Sequence, residues 1–264
     1  MFKRNFTLVV LLSCFVHAQA QEDVSLSRWM KQQIVIDGND NDWGEPLNFF
    51  DNASGMIFTM ANDGKNIYLC FSNNDRAHTG KMMAAGWSVE LSSSEKKRKF
   101  EAALSFPKVT DPAIAAKADM KSVVSAYRNL VPAVEAKGLL SNTSSIPLNA
   151  KEGISIAIGT DSTDKIVYEI RIPVKELMEE DKLQLNELIT LTISVNALEK
   201  NGEHASGNGS AGVRGGGMHS GGMRNSGVGN RGGFNGAPSR AAFAERASLY
   251  EKTSFKQKIR LTIK

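Results

Sequence analysis

Asp37, Asn39, Asp40, Asn41 and Asp42 crowd oxygen-bearing side chains into six residues immediately ahead of Trp43. Oxygen donors at that density suit a hard cation such as calcium, and neighbouring carboxylates suit acid–base work. A calcium loop of the helix–loop–helix kind needs D-x-[DN]-x-[DN]-G, then a bidentate Glu at the twelfth position. Counted from Asp37, Asn39 and Asn41 fit, but Asp42 stands where the turn needs glycine and Asn48 where the ion needs Glu. The spacing therefore predicts a structural turn. Asp37 and Gly38 leave a strand, Asp42 caps the return of the chain, and Trp43 anchors it by burial.

Other chemistry is sparse. The four histidines are His17, His78, His204 and His219, and no HExxH, GxSxG or Cys/His metal spacing accompanies them. Glu179-Glu180-Asp181 reads as a solvated charge run at the end of a short helix. The carboxylate pair of a glycoside hydrolase is defined by a separation of about 5–10 Å in space, which spacing in sequence does not give. No catalytic or metal-binding residue is assigned, and a non-catalytic protein is expected. Gly207-Asn208-Gly209-Ser210-Ala211-Gly212 is formally a GxGxxG, but nothing after Gly212 has the pattern of the helix that a dinucleotide site requires.

The elements that would position any site come next. MFKRN, the apolar run FTLVVLLSCFV and Ala18-Gln19-Ala20 have the layout of a secretory signal peptide over residues 1–20, so a periplasmic or secreted protein is expected. The run is shorter than the roughly 20 residues needed to span a bilayer. A competing reading makes Leu11-Leu12-Ser13-Cys14 a lipoprotein box with Cys14 lipidated. Beyond residue 20 no second apolar stretch is long enough for a transmembrane segment, and the one cysteine, Cys70, sits in the strand-like IYLCF as a small buried hydrophobe. Losing Lys3 and Arg4 lowers the formal net charge from +4 to +2, too mild for a nucleic-acid partner.

Strand patterns dominate. IVI (34–36) precedes the polar turn, and runs near 56–61 and 66–72 flank Asn62-Asp63-Gly64-Lys65, a hairpin signature. GWSVELS alternates Trp87, Val89 and Leu91 against Ser88, Glu90 and Ser92. KFEAALSF, GISIAIG (153–159), KIVYEIRIPV (165–174), LITLTISVNAL and KQKIRLTIK follow as further strands, with a short helix near Val174 to Glu180. Asp111 and Pro112 look like the start of an amphipathic helix carrying Met120, Val123, Val124, Tyr127, Leu130 and Val131, which Pro132 ends, with Gly138 as a stop beyond. The expected fold is all-β: one mostly antiparallel, jelly-roll-like β-sandwich over 21–264, with a helical insertion at 111–138. Residues 201–240 hold 14 of the 23 glycines and predict a disordered loop. Its RGGG and NRGG resemble RNA-binding tracts, but an exported chain does not ordinarily meet RNA.

In order along the chain, Ile36-Asp37-Gly38 with Asp42-Trp43, IFTMANDGKNIYLCF, Ser88-Val89-Glu90-Leu91, IVYEIRIPVKEL, ITLTISVNALEK and KIRLTIK resemble the family 9 carbohydrate-binding modules and their DOMON-like relatives. The resemblance spans about Ile34 to Lys264 and rests on order and spacing. It implies an exported sandwich that binds a glycan without catalysis, two tryptophans holding a sugar ring and the S-V-E glutamate giving a polar contact. Glu90 matches that glutamate. Trp87 stands next to Ser88, where the family's tryptophan lies several residues earlier, and by alternation it shares the core face of Val89 and Leu91. The second tryptophan's loop is here glycine-rich. Trp29 is a further candidate platform. The alternative is a structural or interaction sandwich without sugar binding. Some DOMON-like domains carry haem between Met and His, for which Met60, Met82, Met83 and His78 would be the residues.

Overall fold

A computed structural model describes residues 24–44, 46–93, 99–111, 117, 119–179, 188–199 and 249–262. Residues 1–20, where a signal peptide or a lipidated Cys14 is expected, and the glycine-rich 201–240 lie outside the described residues. Two sheets face each other. One orders its strands as β1 (Val24–Leu26), β13 (Thr253–Arg260), β12 (Leu188–Val195), β6 (Trp87–Ser93), β7 (Glu101–Phe106), β8 (Ala133–Lys137) and β9 (Ser145–Pro147). The other runs β10 (Ser155–Thr160), β11 (Ile166–Pro173), β5 (Asn66–Asn73), β4 (Met56–Asn62) and β2 (Arg28–Trp29), with β3 (Phe49–Asp51) also on β4. Among the described strands only β1 with β13 and β2 with β4 pair in parallel. This is the expected all-β sandwich.

Strict alternation makes the inner faces. Trp87, Val89 and Leu91 of β6 meet Phe71, Tyr168 and Ile170 of the opposite sheet in one continuous core. Trp87 lies flat on Phe106 at 4.2 Å between centroids and edge-on to Tyr168 at 4.9 Å. The strand pair β4–β5 closes through the Asn62–Lys65 turn, as its Asp-Gly predicts. β5 is buried on both faces, which explains the unbroken apolar run IYLCF.

Three expectations change. Ile34–Ile36 joins no sheet. Its Val35 N–H is taken by the Asp42 carboxylate (2.7 Å), so the segment lies as a cover over the six-stranded sheet instead of adding a strand. The helix, here α2, runs Met120–Leu130 with Asp119 as its cap, accepting from the Ser122 N–H at 2.8 Å. Residues 112–116, where Asp111 and Pro112 lead the sequence to expect the helix, lie outside the described residues, and Lys117 is not helical. The proposed 111–138 insertion also contains strand β8, in which Val134 and Ala136 enter the core while Glu135 and Lys137 face out. Gly138 stops that strand instead of the helix: its φ is +72°, and a Cβ there would stand 1.8 Å from the Glu101 carbonyl oxygen.

A helix that the sequence pattern does not announce, α1 (Arg76–Ala85), carries the chain from β5 to β6. Asp75 caps it by accepting from the His78 N–H (2.9 Å). It buries Thr79 and Lys81 beside Met82 and Met83, so no apolar stripe stands out. The short helix after β11 is a single 3-10 turn, Val174–Glu176. Among the described residues no helix is long and apolar enough to cross a membrane.

Candidate functional site

The acidic turn is built around a residue that local reading passes over. Glu169 of β11 points out of the six-stranded sheet, beside Cys70 in the register, and is fully buried under the 34–47 segment. Its Oε1 accepts from the Trp43 indole N–H at 2.7 Å. Its Oε2 accepts from the backbone N–H groups of Asp37 (2.9 Å), Gly38 (2.6 Å) and Asn39 (3.3 Å). Burial pushes the Glu169 carboxyl up to about 7, against the pull of the Trp43 and backbone donors. Around it Trp43, Ile34, Ala61, Tyr68, Cys70 and Val167 form a second small core. Burial and the neighbouring Glu169 push the Cys70 thiol well up.

Asp37, Gly38, Asp42 and Trp43 therefore act as a structural clasp. Asp37 Oδ1 turns back to the Asn39 N–H (2.9 Å) and Asn39 Oδ1 to the Asn41 N–H (3.1 Å), so the oxygens that suggested calcium serve the turn. Arg28 ties the far end by donating to the carbonyl oxygens of Trp43 (2.7 Å) and Pro46 (3.1 Å). Among the described residues no group of three or more acidic, His or Cys side chains is placed to hold a metal ion.

The glycine of the turn has its own reason. Gly38 has φ +87° and packs backbone to backbone on Gly159 of β10, where an added Cβ would meet the Gly38 oxygen at 2.3 Å. Gly159→Ala must push the turn off the sheet and loosen the Gly38 N–H from Glu169. We expect it to cost about 1–3 kcal/mol, read as a lower urea midpoint.

The candidate sugar contacts fall in three separate places. Trp87 is 1% exposed and stacked inside the core, so it presents no ring to a ligand; alternation places it there, opposite Tyr168. This corrects its assignment as a carbohydrate contact. Glu90 points the other way from the same strand, partly exposed on the outer face of the seven-stranded sheet between Thr192 and Ala103. Met60, Met82 and Met83 are core residues, and His78 shares α1 with two of them, its Nδ1 set 3.2 Å from Asp75. Axial ligands must approach a haem from opposite faces, which His78 with Met82 or Met83 of the same helix does not do, and Met60 stands apart on β4.

Of the three, Trp29 borders a cleft of about 880 Å³, which it lines with Asp63, Lys65, Asn66, Gly153, Arg171 and Lys175. Pairing of β2 along β4 puts Trp29 beside Asn62, hence at the β4–β5 turn. The Val174 N–H bonded to the Lys65 carbonyl (2.8 Å) brings the end of β11 to the same place. A second cleft, also about 880 Å³, lies at the start of α2 and includes Met83, Val109, Val123 and Leu198, with an exposed Lys108–Glu199 pair at 2.5 Å. No family model, no curated protein and no solved structure matches the chain.

Proposed function

We propose that the protein is an exported, non-catalytic carbohydrate-binding β-sandwich that seats its glycan in the Trp29 cleft. The observation that carries this reading is the company Trp29 keeps. A partly exposed indole borders a sugar-sized opening whose other walls hold amide, carboxylate, ammonium and guanidinium groups. Sugar recognition needs that pairing, an aromatic plane for the apolar C–H face and fixed polar groups for the hydroxyls. Glu90, remote from this cleft, takes no part in it.

Screening the purified protein on a glycan array should give binders, and Trp29→Ala should weaken them by at least about tenfold, or roughly 1.4 kcal/mol. Glu90→Gln should leave them unchanged. An array without a single binder would end the glycan reading. It would favour the second one, a structural or interaction sandwich, whose support is the burial of Trp87 where the resembling family presents a sugar contact.

A further inference from the structure

The charges around Trp29 are unbalanced. Lys65 and Lys175 are exposed, and neither has an ion-pair partner among the described residues. Arg171 spends Nη2 on the Ser155 hydroxyl (2.7 Å) and on the carbonyls of Lys151 (3.1 Å) and Gly153 (3.4 Å), while its buried Nε–H finds no acceptor. The one carboxylate of the cleft, Asp63, is already committed. Its Oδ1 accepts from the N–H groups of Lys65 (2.8 Å) and Asn66 (2.7 Å), and its Oδ2 from the Tyr68 hydroxyl (2.7 Å) and the Asn66 amide (3.1 Å). Three cations thus face one anion whose lone pairs are turned inward.

A neutral sugar would leave those cations with water. A sugar bearing a fixed negative charge would answer them while its ring face lies on the indole. Resting on the glycan reading above, we infer that the Trp29 cleft selects anionic saccharides, whose rings carry a uronate carboxylate or a sulfate ester. The two lysines supply attraction from the rim, and Arg171 adds a fixed positive charge behind them.

Titration of the purified protein with two matched pairs tests this: tetragalacturonate against its full methyl ester, and a sulfated carrageenan tetrasaccharide against its desulfated form. The charged member of at least one pair should bind about tenfold tighter or more, the gap closing as salt is raised. The pair that responds identifies carboxylate or sulfate. K65Q/K175Q should lose the preference for the charged member, with an unchanged circular dichroism spectrum. Equal binding of charged and neutral members overturns the charge selectivity and leaves glycan binding standing. Equal binding of polyglutamate at matched charge overturns it too, since the cleft would then answer to charge alone. Silence with all four sugars overturns the inference, and the glycan array decides separately whether the broader reading falls.

Discussion

Replacing Glu169 with alanine is expected to cost about 3–5 kcal/mol of folding stability, a large share of what a single domain possesses. The reason is geometric. Four donors converge on this carboxylate, the Trp43 indole and three consecutive backbone N–H groups of residues 37–39. Alanine removes the acceptor they share, and the Gly38 N–H and the Trp43 indole lose it in buried surroundings. Glutamine tests the same idea more finely. It keeps one acceptor oxygen and presents an NH2 where the protonated carboxyl presents an O–H, so it should cost less than alanine, about 1–3 kcal/mol. Trp43→Phe removes one donor and keeps the ring, so Glu169→Gln should cost less in that background. Urea unfolding with a double-mutant cycle measures all of this. A Glu169→Ala protein as stable as the parent would remove the clasp from the account of the fold.

Stability should also fall as pH rises from about 4.5 to about 7. Glu169 carries an ordinary value of 4.5 when unfolded and about 7 when folded, because burial disfavours its charge. Below 4.5 both states hold the proton and Glu169 adds no slope. Between the two values the folded state binds more protons than the unfolded one, so raising the pH favours unfolding. One pKa unit is about 1.4 kcal/mol, and the loss across the window comes to about 3 kcal/mol. Asp42, also raised by burial, adds in the same direction nearer its ordinary 3.8.

Asp63 works against them at the acid end. Burial raises it, but the Tyr68 hydroxyl and the Lys65 and Asn66 donors outweigh burial and hold it low. Its stabilisation is lost as pH drops through that lowered value. A stability maximum in mildly acid solution follows, and Glu169→Gln should flatten its alkaline limb. Melting temperatures across pH 3–8 for both proteins check this. An alkaline limb equally steep in the variant would assign the titration to another group.

Much of the sandwich was legible in the sequence because a sheet with one buried face writes its period into the chain. Trp87-Val89-Leu91 against Ser88-Glu90-Ser92 needs no partner to be read. The same alternation that found the strand also warned that Trp87 belongs to the core. α1 was hidden because buried Thr79 and Lys81 break its apolar stripe, although Asp75 ahead of it and Gly86 behind it were available as start and stop signs. Asp111-Pro112 and Asp119 are both sound caps locally, so the sequence alone does not choose Asp119 as the start of α2.

The sequence by itself determined the longer strands β4 to β7 and β10 to β13, the hairpin at Asp63-Gly64 and the burial of Trp43, since these follow from side-chain type and short-range period. Only the tertiary structure decided what the acidic turn is for and where a ligand can sit. Glu169 meets Trp43 across 126 positions of chain, and Trp29 meets Arg171 and Lys175 only because β2 runs beside β4. Contacts of that kind depend on how two sheets stack and which strand takes an edge, and neither leaves a mark within a few residues of the groups concerned.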